Sequence, residues 1–225
     1  MNSIKVYVEI GAKKVFAGAL DWPGYTRSGR DEVSAIQALI DYGPRYANAF
    51  QKKGIEFIPP IQLESLHVME RHAGNATTDF GAPAVILDVD REPLNQKEFE
   101  RLKGILQACW QAFDAALSRA TGKTLRKGPR GGGRELEMIG EHVLGADLAY
   151  LGRLPWKSPK VDQTNFNDAI GITRQIILEA LEAGVKGRLP GQGPRGGSVW
   201  PLRYFIRRVA WHVLDHAWEI EDRTL

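Results

Sequence analysis

Two histidines four residues apart, His212 and His216, sit in the segment Arg208-Val209-Ala210-Trp211-His212-Val213-Leu214-Asp215-His216-Ala217-Trp218-Glu219 near the end of a 225-residue chain. The segment reads as helix, and at about 100° per residue the two imidazoles stack on one face, a turn apart. That face is also the apolar one, carrying Leu202, Phe205, Val209, Val213 and Ile220. Imidazoles in an apolar stripe are costly unless their nitrogens find partners. A divalent cation is one such partner; hydrogen bonds to carboxylates or carbonyls are the other. His142 adds a third imidazole. It flanks the stripe Leu136, Ile139, Val143 and Tyr150 of another helical segment, beside the small residues Gly145 and Ala146. Three imidazoles suit zinc, nickel or iron with one position left open for water or substrate.

Glu219 shares the face of His212 and His216 one turn further on, placed to orient an imidazole or to act as a base. Glu141, Asp147 and Asp215 turn away from the stripes and read as surface charge. His67 and His72 lack a ligand spacing and read as structural or surface residues. Cys109 belongs to the stripe of Phe99, Leu102, Ile105, Leu106, Phe113 and Leu117, which makes it a buried structural thiol and not a nucleophile. Trp211 and Trp218 share a face about 100° or more from the histidines. They predict a second apolar surface, covered by the N-terminal part of the chain or by a second subunit in a homodimer.

The elements that must position these residues fall into two groups, predicting an α+β fold with a boundary near residues 90–95: residues 1–92 as a small α+β domain and residues 93–225 as a helical one. In the first, Ile4–Ile10 and Val15–Leu20 form a hairpin, Asp21-Trp22-Pro23-Gly24 turns, and Asp31 caps a helix with inner face Val33, Ile36, Leu39 and Ile40 that ends near Gly43-Pro44. A third strand is expected in Ile61–Met69, giving a ββαβ order, and Ala84–Val89 is a candidate fourth. The second has four helical segments, roughly 95–121, 134–153, 166–184 and 200–222, the third marked by Phe166, Ile170, Thr173, Ile177 and Leu181. These predict an antiparallel four-helix bundle. In a simple bundle the second and fourth helices run parallel. His142 and His212 would then lie about 10 Å and about 18 Å from their helix starts, meeting only if the helices are offset.

The two Gly-Pro-Arg-Gly-Gly loops, Gly128–Gly132 and Gly193–Gly197, precede the helices that carry His142 and His212. Arg130 and Arg195 in them are candidate contacts for an anionic substrate or cofactor, although the loops lack the lysine-serine ending of a P-loop and otherwise read as connectors. The net charge of +3 and the single cysteine argue against a nucleic-acid partner and against disulfides. Binding of nucleic acid through the arginine loops and Arg203, Arg207 and Arg208 is accordingly the least favoured reading. No apolar run spans a membrane and Met1-Asn2-Ser3-Ile4-Lys5 lacks a signal-peptide core, so a cytoplasmic protein is expected.

Residues 93–222 resemble the DinB/YfiT-like family of metalloenzymes, through the four helices, the single histidine His142 on the second and the His212–His216 pair on the last. The resemblance implies a divalent metal held by His142, His212 and His216, with water completing the site. It also implies a low-molecular-weight thiol such as bacillithiol or mycothiol as co-substrate, since the family's known activities are thiol-dependent S-transfer and isomerisation. The segment Phe16–Tyr25 followed by the helix at Asp31 is similar to HicB-like small domains. The expectation is a metal-dependent enzyme, a thiol-dependent S-transferase or a hydrolase acting on a small molecule. The alternative is a non-enzymatic HicB-like and DinB-like interaction module in which the metal is structural or absent.

Overall fold

The computed structural model describes residues 3–50, 54–127, 133–189 and 198–225. Strand β1 (Ile4–Ile10) is the axis of the N-terminal half: it pairs antiparallel with β2 (Val15–Ala19) on one side and parallel with β4 (Leu66–Ala73) on the other. A third strand, β3 (Thr26–Gly29), pairs antiparallel with β2, so the sheet order is β3-β2-β1-β4. The β3 sequence Thr-Arg-Ser-Gly has no apolar alternation, which is why it gave no strand signal. Val6, Tyr7 and Val8 are all fully buried, so both faces of β1 are covered. Tyr7 crosses to Gly18 on β2, where an added Cβ would stand 2.5 Å from the tyrosine ring; the glycine is there to admit the ring.

Helix α1 (Glu32–Asn48) lies between β3 and β4 in sequence. Asp31 caps it through a reciprocal pair of bonds with Ser34. The buried face is Ala35, Leu39, Gly43 and Tyr46, while Val33, expected inside, is exposed. The helix also runs through Pro44 and does not stop before it. The proline removes a single backbone donor. The last turn is held by Tyr46, whose ring packs on Tyr25, Trp22, Phe50 and Phe57 and whose hydroxyl donates to Pro23 O at 2.7 Å.

Strand β4 begins later than expected, after a 3-10 turn at Leu63–Ser65, because its register is fixed by pairing Leu66 to Ile4 and Ala73 to Ile10. Residues 84–89, expected as a strand, form none. Their backbone groups are claimed by side chains instead: the fully buried Glu9 carboxylate accepts from Ala84 N and Val85 N at 2.9–3.1 Å, after the short helix α2 (Ala76–Phe80). From the other side Arg207 donates to Val85 O at 2.9 Å and Arg208 to Pro83 O at 2.5 Å.

Four long helices follow: α3 (Gln96–Ala120), α4 (Leu136–Leu151), α5 (Phe166–Val185) and α6 (Leu202–Arg223). Their directions come from contacts at their ends. Arg203 pairs with Glu98 at one end and Arg119 with Glu221 at the other, so α3 and α6 run parallel. Trp200 N donates to Arg153 O, and Arg223 donates to Arg134 O, so α4 and α6 run antiparallel. This corrects the simple alternating order and removes the offset it required. At about 1.5 Å per residue, His142 lies about 14 Å from the α4 C-terminus and His212 about 15 Å from the α6 N-terminus, which is one level.

One apolar core runs from Ile4 and Val6 of the sheet to Val213 and Ile220 of α6, giving a mixed α/β fold. Among the described residues no helix is long and apolar enough to cross a membrane. Helix α6 is the shared wall. On its sheet side Arg207 donates to Tyr7 Oη at 2.8 Å and pairs with Asp90, the two side chains only 6% and 4% exposed. Gly24, at φ 89°, turns the chain close beneath this helix, where a Cβ would stand 2.8 Å from Leu214.

Removing one partner of a buried ion pair strands the other charge, at a typical cost of about 3–5 kcal/mol. Urea unfolding of Asp90→Ala is expected to show a loss of that size. Arg45→Ala, which breaks the more exposed pairs to Glu221 and Asp222, should cost under about 1 kcal/mol. Equal losses in the two variants would show that the buried pair has no special weight.

Candidate metal centre

Helix α4 supplies His142 and helix α6 supplies His212 and His216, and one ligand atom from each lies within 4.8 Å of the other two. His142 Nε2 and His212 Nε2 are 3.2 Å apart, and the three pairs of rings have centroids 5.1, 4.9 and 4.7 Å apart. Nitrogens held by a tetrahedral ion at about 2.0–2.1 Å lie about 3.4 Å from each other, so the spacing suits one small cation. The carboxylate alternative accounts for His216 alone: its Nδ1 bonds to Glu219 Oε2 at 2.7 Å. His142 meets no carboxylate or carbonyl among the described residues. His212 is 7% exposed, and among the described residues its Nδ1 has no hydrogen-bond partner and its Nε2 meets only the opposing imidazole.

Glu219 also sets which nitrogen of His216 is free. With Nδ1 committed to the carboxylate, Nε2 is left for the centre. The second carboxylate oxygen accepts from Arg223 at 2.7 Å, and Arg223 donates in turn to Arg126 O and Arg134 O at 2.9 Å. Both oxygens are thus engaged, and the hydrogen bond from His216 holds the Glu219 carboxyl below the usual carboxylate range. The geometry is that of an orienting group behind the ligand.

Burial and the neighbouring His216 lower the pKa of His142. Burial pushes His212 much further down, with His216 and His142 acting in the same direction. Neutral imidazole is the form that binds metal, so the apolar surroundings keep these two in the ligand state. Among the described residues the group contains three ligands.

The remaining candidates separate cleanly. Arg130 and Arg195 lie outside the described residues. Glu141 is exposed and Asp215 pairs with Arg27 at 2.8 Å, both acting as surface charge. Cys109 is fully buried, and desolvation raises its thiol far above the nucleophilic range. His67 is exposed and His72 bonds to Glu70 at 2.7 Å. The second apolar face of α6 is covered from the N-terminal part: Phe16 meets Trp211 edge-on at 6.0 Å, and Tyr42 packs on Trp218 at 5.1 Å. Of the α6 arginines offered for nucleic acid, Arg203 ends on Glu98 and Arg207 on Asp90. Two residues read from the sequence in other roles, Tyr150 as part of an apolar stripe and Arg208 as a nucleic-acid contact, are neighbours of the centre. Tyr150 puts its ring 5.7 Å from that of His212, and Arg208 lies against Tyr150. Arg208 is four residues before His212, so the periodicity that pairs the histidines contains the signal for it too.

Asp147 is a correction. It is fully buried, with both carboxylate oxygens lacking a hydrogen-bond partner among the described residues, because the α4 face opposite His142 packs into the helical core. Burial pushes its carboxyl up to about 7, partly opposed by Arg174, whose own Nη1 bonds to Asp114 at 2.7 Å. A carboxyl raised on folding leaves stability intact below its unfolded value near 3.8 and erodes it as pH climbs to about 7. Asp147→Asn is therefore expected to gain on the native protein between about pH 4 and about pH 7, with no further gain above, in parallel denaturation series. A difference that stays flat across that range would mean that Asp147 does not titrate as its burial requires.

Comparison of the chain with protein-family models, with curated proteins and with solved structures finds no match in any of the three.

Proposed function

We propose that the protein binds a divalent metal ion through His142, His212 and His216 and is a metal-dependent enzyme acting on a small molecule. One observation carries the reading: three imidazoles from two helices converge within 4.8 Å, and among the described residues two of them have no hydrogen-bond partner but each other. A closed structural zinc site needs four protein ligands, whereas three suit a site that keeps a position for substrate. Residues 1–2, 51–53, 128–132 and 190–197 contain no His, Cys, Asp or Glu that could add a fourth. The four helices that frame the histidines support the DinB-like bundle expected for residues 93–225. The small sheet beside them leaves the HicB-like assignment as a proposal on the sequence alone.

When bound, the ion would supply Lewis acidity that lowers the pKa of a coordinated water or thiol, the common requirement of a hydrolase and of a thiol-dependent S-transferase. Of the two, S-transfer with a low-molecular-weight thiol is the reading we favour, because the sequence resemblance points to it. Zinc, nickel and iron(II) all suit a three-imidazole donor set. The protein's own contribution is more specific. Glu219 and Arg223 fix His216 in one tautomer, and the buried walls keep His142 and His212 neutral at neutral pH. The rival reading is a non-enzymatic module whose metal is structural or absent.

Elemental analysis of untagged protein is expected to find about one equivalent of metal per chain, lost in folded His216→Ala. Glu219→Gln should retain the fold and weaken metal affinity by about 10–100-fold, as typical for an outer partner of a ligating histidine. Absence of metal from the native protein together with no uptake on titration would sink the proposal.

A further inference from the structure

Helix α6 carries the arginines Arg203, Arg207, Arg208 and Arg223, and three of them end on carboxylates: Glu98, Asp90 and Glu219. Arg208 meets none among the described residues. Its Nη1 donates to Pro83 O at 2.5 Å, while its buried Nε has no hydrogen-bond partner. Its guanidinium stands 5.5 Å from the ring centre of Tyr150 and 5.0 Å from that of Trp211. A carbonyl, a side-chain hydrogen bond with the Tyr150 hydroxyl and two aromatic rings therefore fix the cation in place without neutralising it.

Its position is the informative part. Arg208 is one helical turn before His212 on the same side of α6, and the Tyr150 ring it touches is 5.7 Å from the His212 ring. Tyr150 packs in turn on Trp200, with centroids 5.3 Å apart, which extends an aromatic wall away from the histidines. A partly buried guanidinium is expensive without an anion, and a fork already held in one orientation loses little entropy on gaining one. The structural neighbours leave that role to a ligand. A single fork matches the planar, two-oxygen geometry of a carboxylate, and the flanking rings offer surface to an apolar or aromatic body.

We propose that Arg208, with Tyr150 beside it, is the anion-binding subsite of the histidine centre, and that the substrate is a small carboxylate with an apolar body. The carboxylate pairs with the guanidinium while the reacting end of the molecule reaches the three imidazoles. That second half rests on the metal reading given above; the carboxylate subsite itself does not.

The test uses three probes, acetate, benzoate and succinate, with benzamide as the neutral counterpart of benzoate. Each is titrated by tryptophan fluorescence into zinc-loaded and metal-free protein, for the native chain, Arg208→Gln, Arg208→Lys and Tyr150→Phe, with thermal melts to establish folding. Saturable binding of at least one carboxylate is expected, benzoate more tightly than benzamide, at least tenfold weaker in Arg208→Gln and partly restored in Arg208→Lys. If Arg208→Gln does not fold, weakened benzoate binding in both folded Arg208→Lys and Tyr150→Phe carries the proposal. No saturable binding of any carboxylate overturns it. So does benzamide binding as well as benzoate, or unchanged benzoate affinity in the folded Arg208 variants. Zinc content separates the two readings. Benzoate binding that depends on Arg208 in protein unable to take up zinc keeps the subsite and removes the metal. One equivalent of zinc throughout, with benzoate indifferent to Arg208, removes the subsite alone.

Discussion

The buried ion pair between Arg207 and Asp90 is the constraint to which the rest of the architecture answers. A guanidinium with a side-chain exposure of 6% must satisfy its donors inside the protein, and it does so on Asp90, Tyr7 and Val85 O. Those partners belong to β1 and to the segment after α2, so a single side chain on α6 ties the sheet and the connecting chain to one helix. Glu9 works from the opposite direction, holding Ala84 N and Val85 N from the strand. Between them the two charges fix an irregular stretch that has no ladder of its own. They also fix the rotation of α6 about its axis, and that rotation decides where its histidines point.

The centre is the other face of the same helix. Antiparallel packing of α4 on α6 brings His142 level with His212, and the imidazoles face each other with His212 buried and the other two partly buried. Desolvation keeps them neutral, and the Glu219–Arg223 pair orients the third ring. Position and protonation state thus arise from separate features: helix packing supplies the first and burial supplies the second. Hydrogen bonding from the carboxylate refines only His216.

Much of this is legible from side-chain period. The four long helices and the stripe containing His212 and His216 follow from apolar spacing, and Cys109 is identified as a core residue by the same rule. What the period cannot show is direction. The parallel run of α3 with α6 and the antiparallel run of α4 depend on connections whose lengths say little about their paths. Asp147 looks like surface charge because periodicity assumes a polar face is a wet one, and here that face meets α5. Strand β3 has no apolar alternation to betray it. Residues 84–89 have the apolar character of a strand but spend their hydrogen bonds on Glu9 and Arg207, which lie far away in sequence.

Because α6 presents Arg207 to the strands and His212 to α4, its two sides cannot vary independently. A chain shortened to its last four helices would keep all three imidazoles yet leave Arg207 without Tyr7 and Trp211 without Phe16. The histidine cluster is therefore not a self-contained cassette: strands and ligand helix form one packing unit, and the sheet-facing positions of α6 are tied to residues as far as two hundred places earlier in the chain.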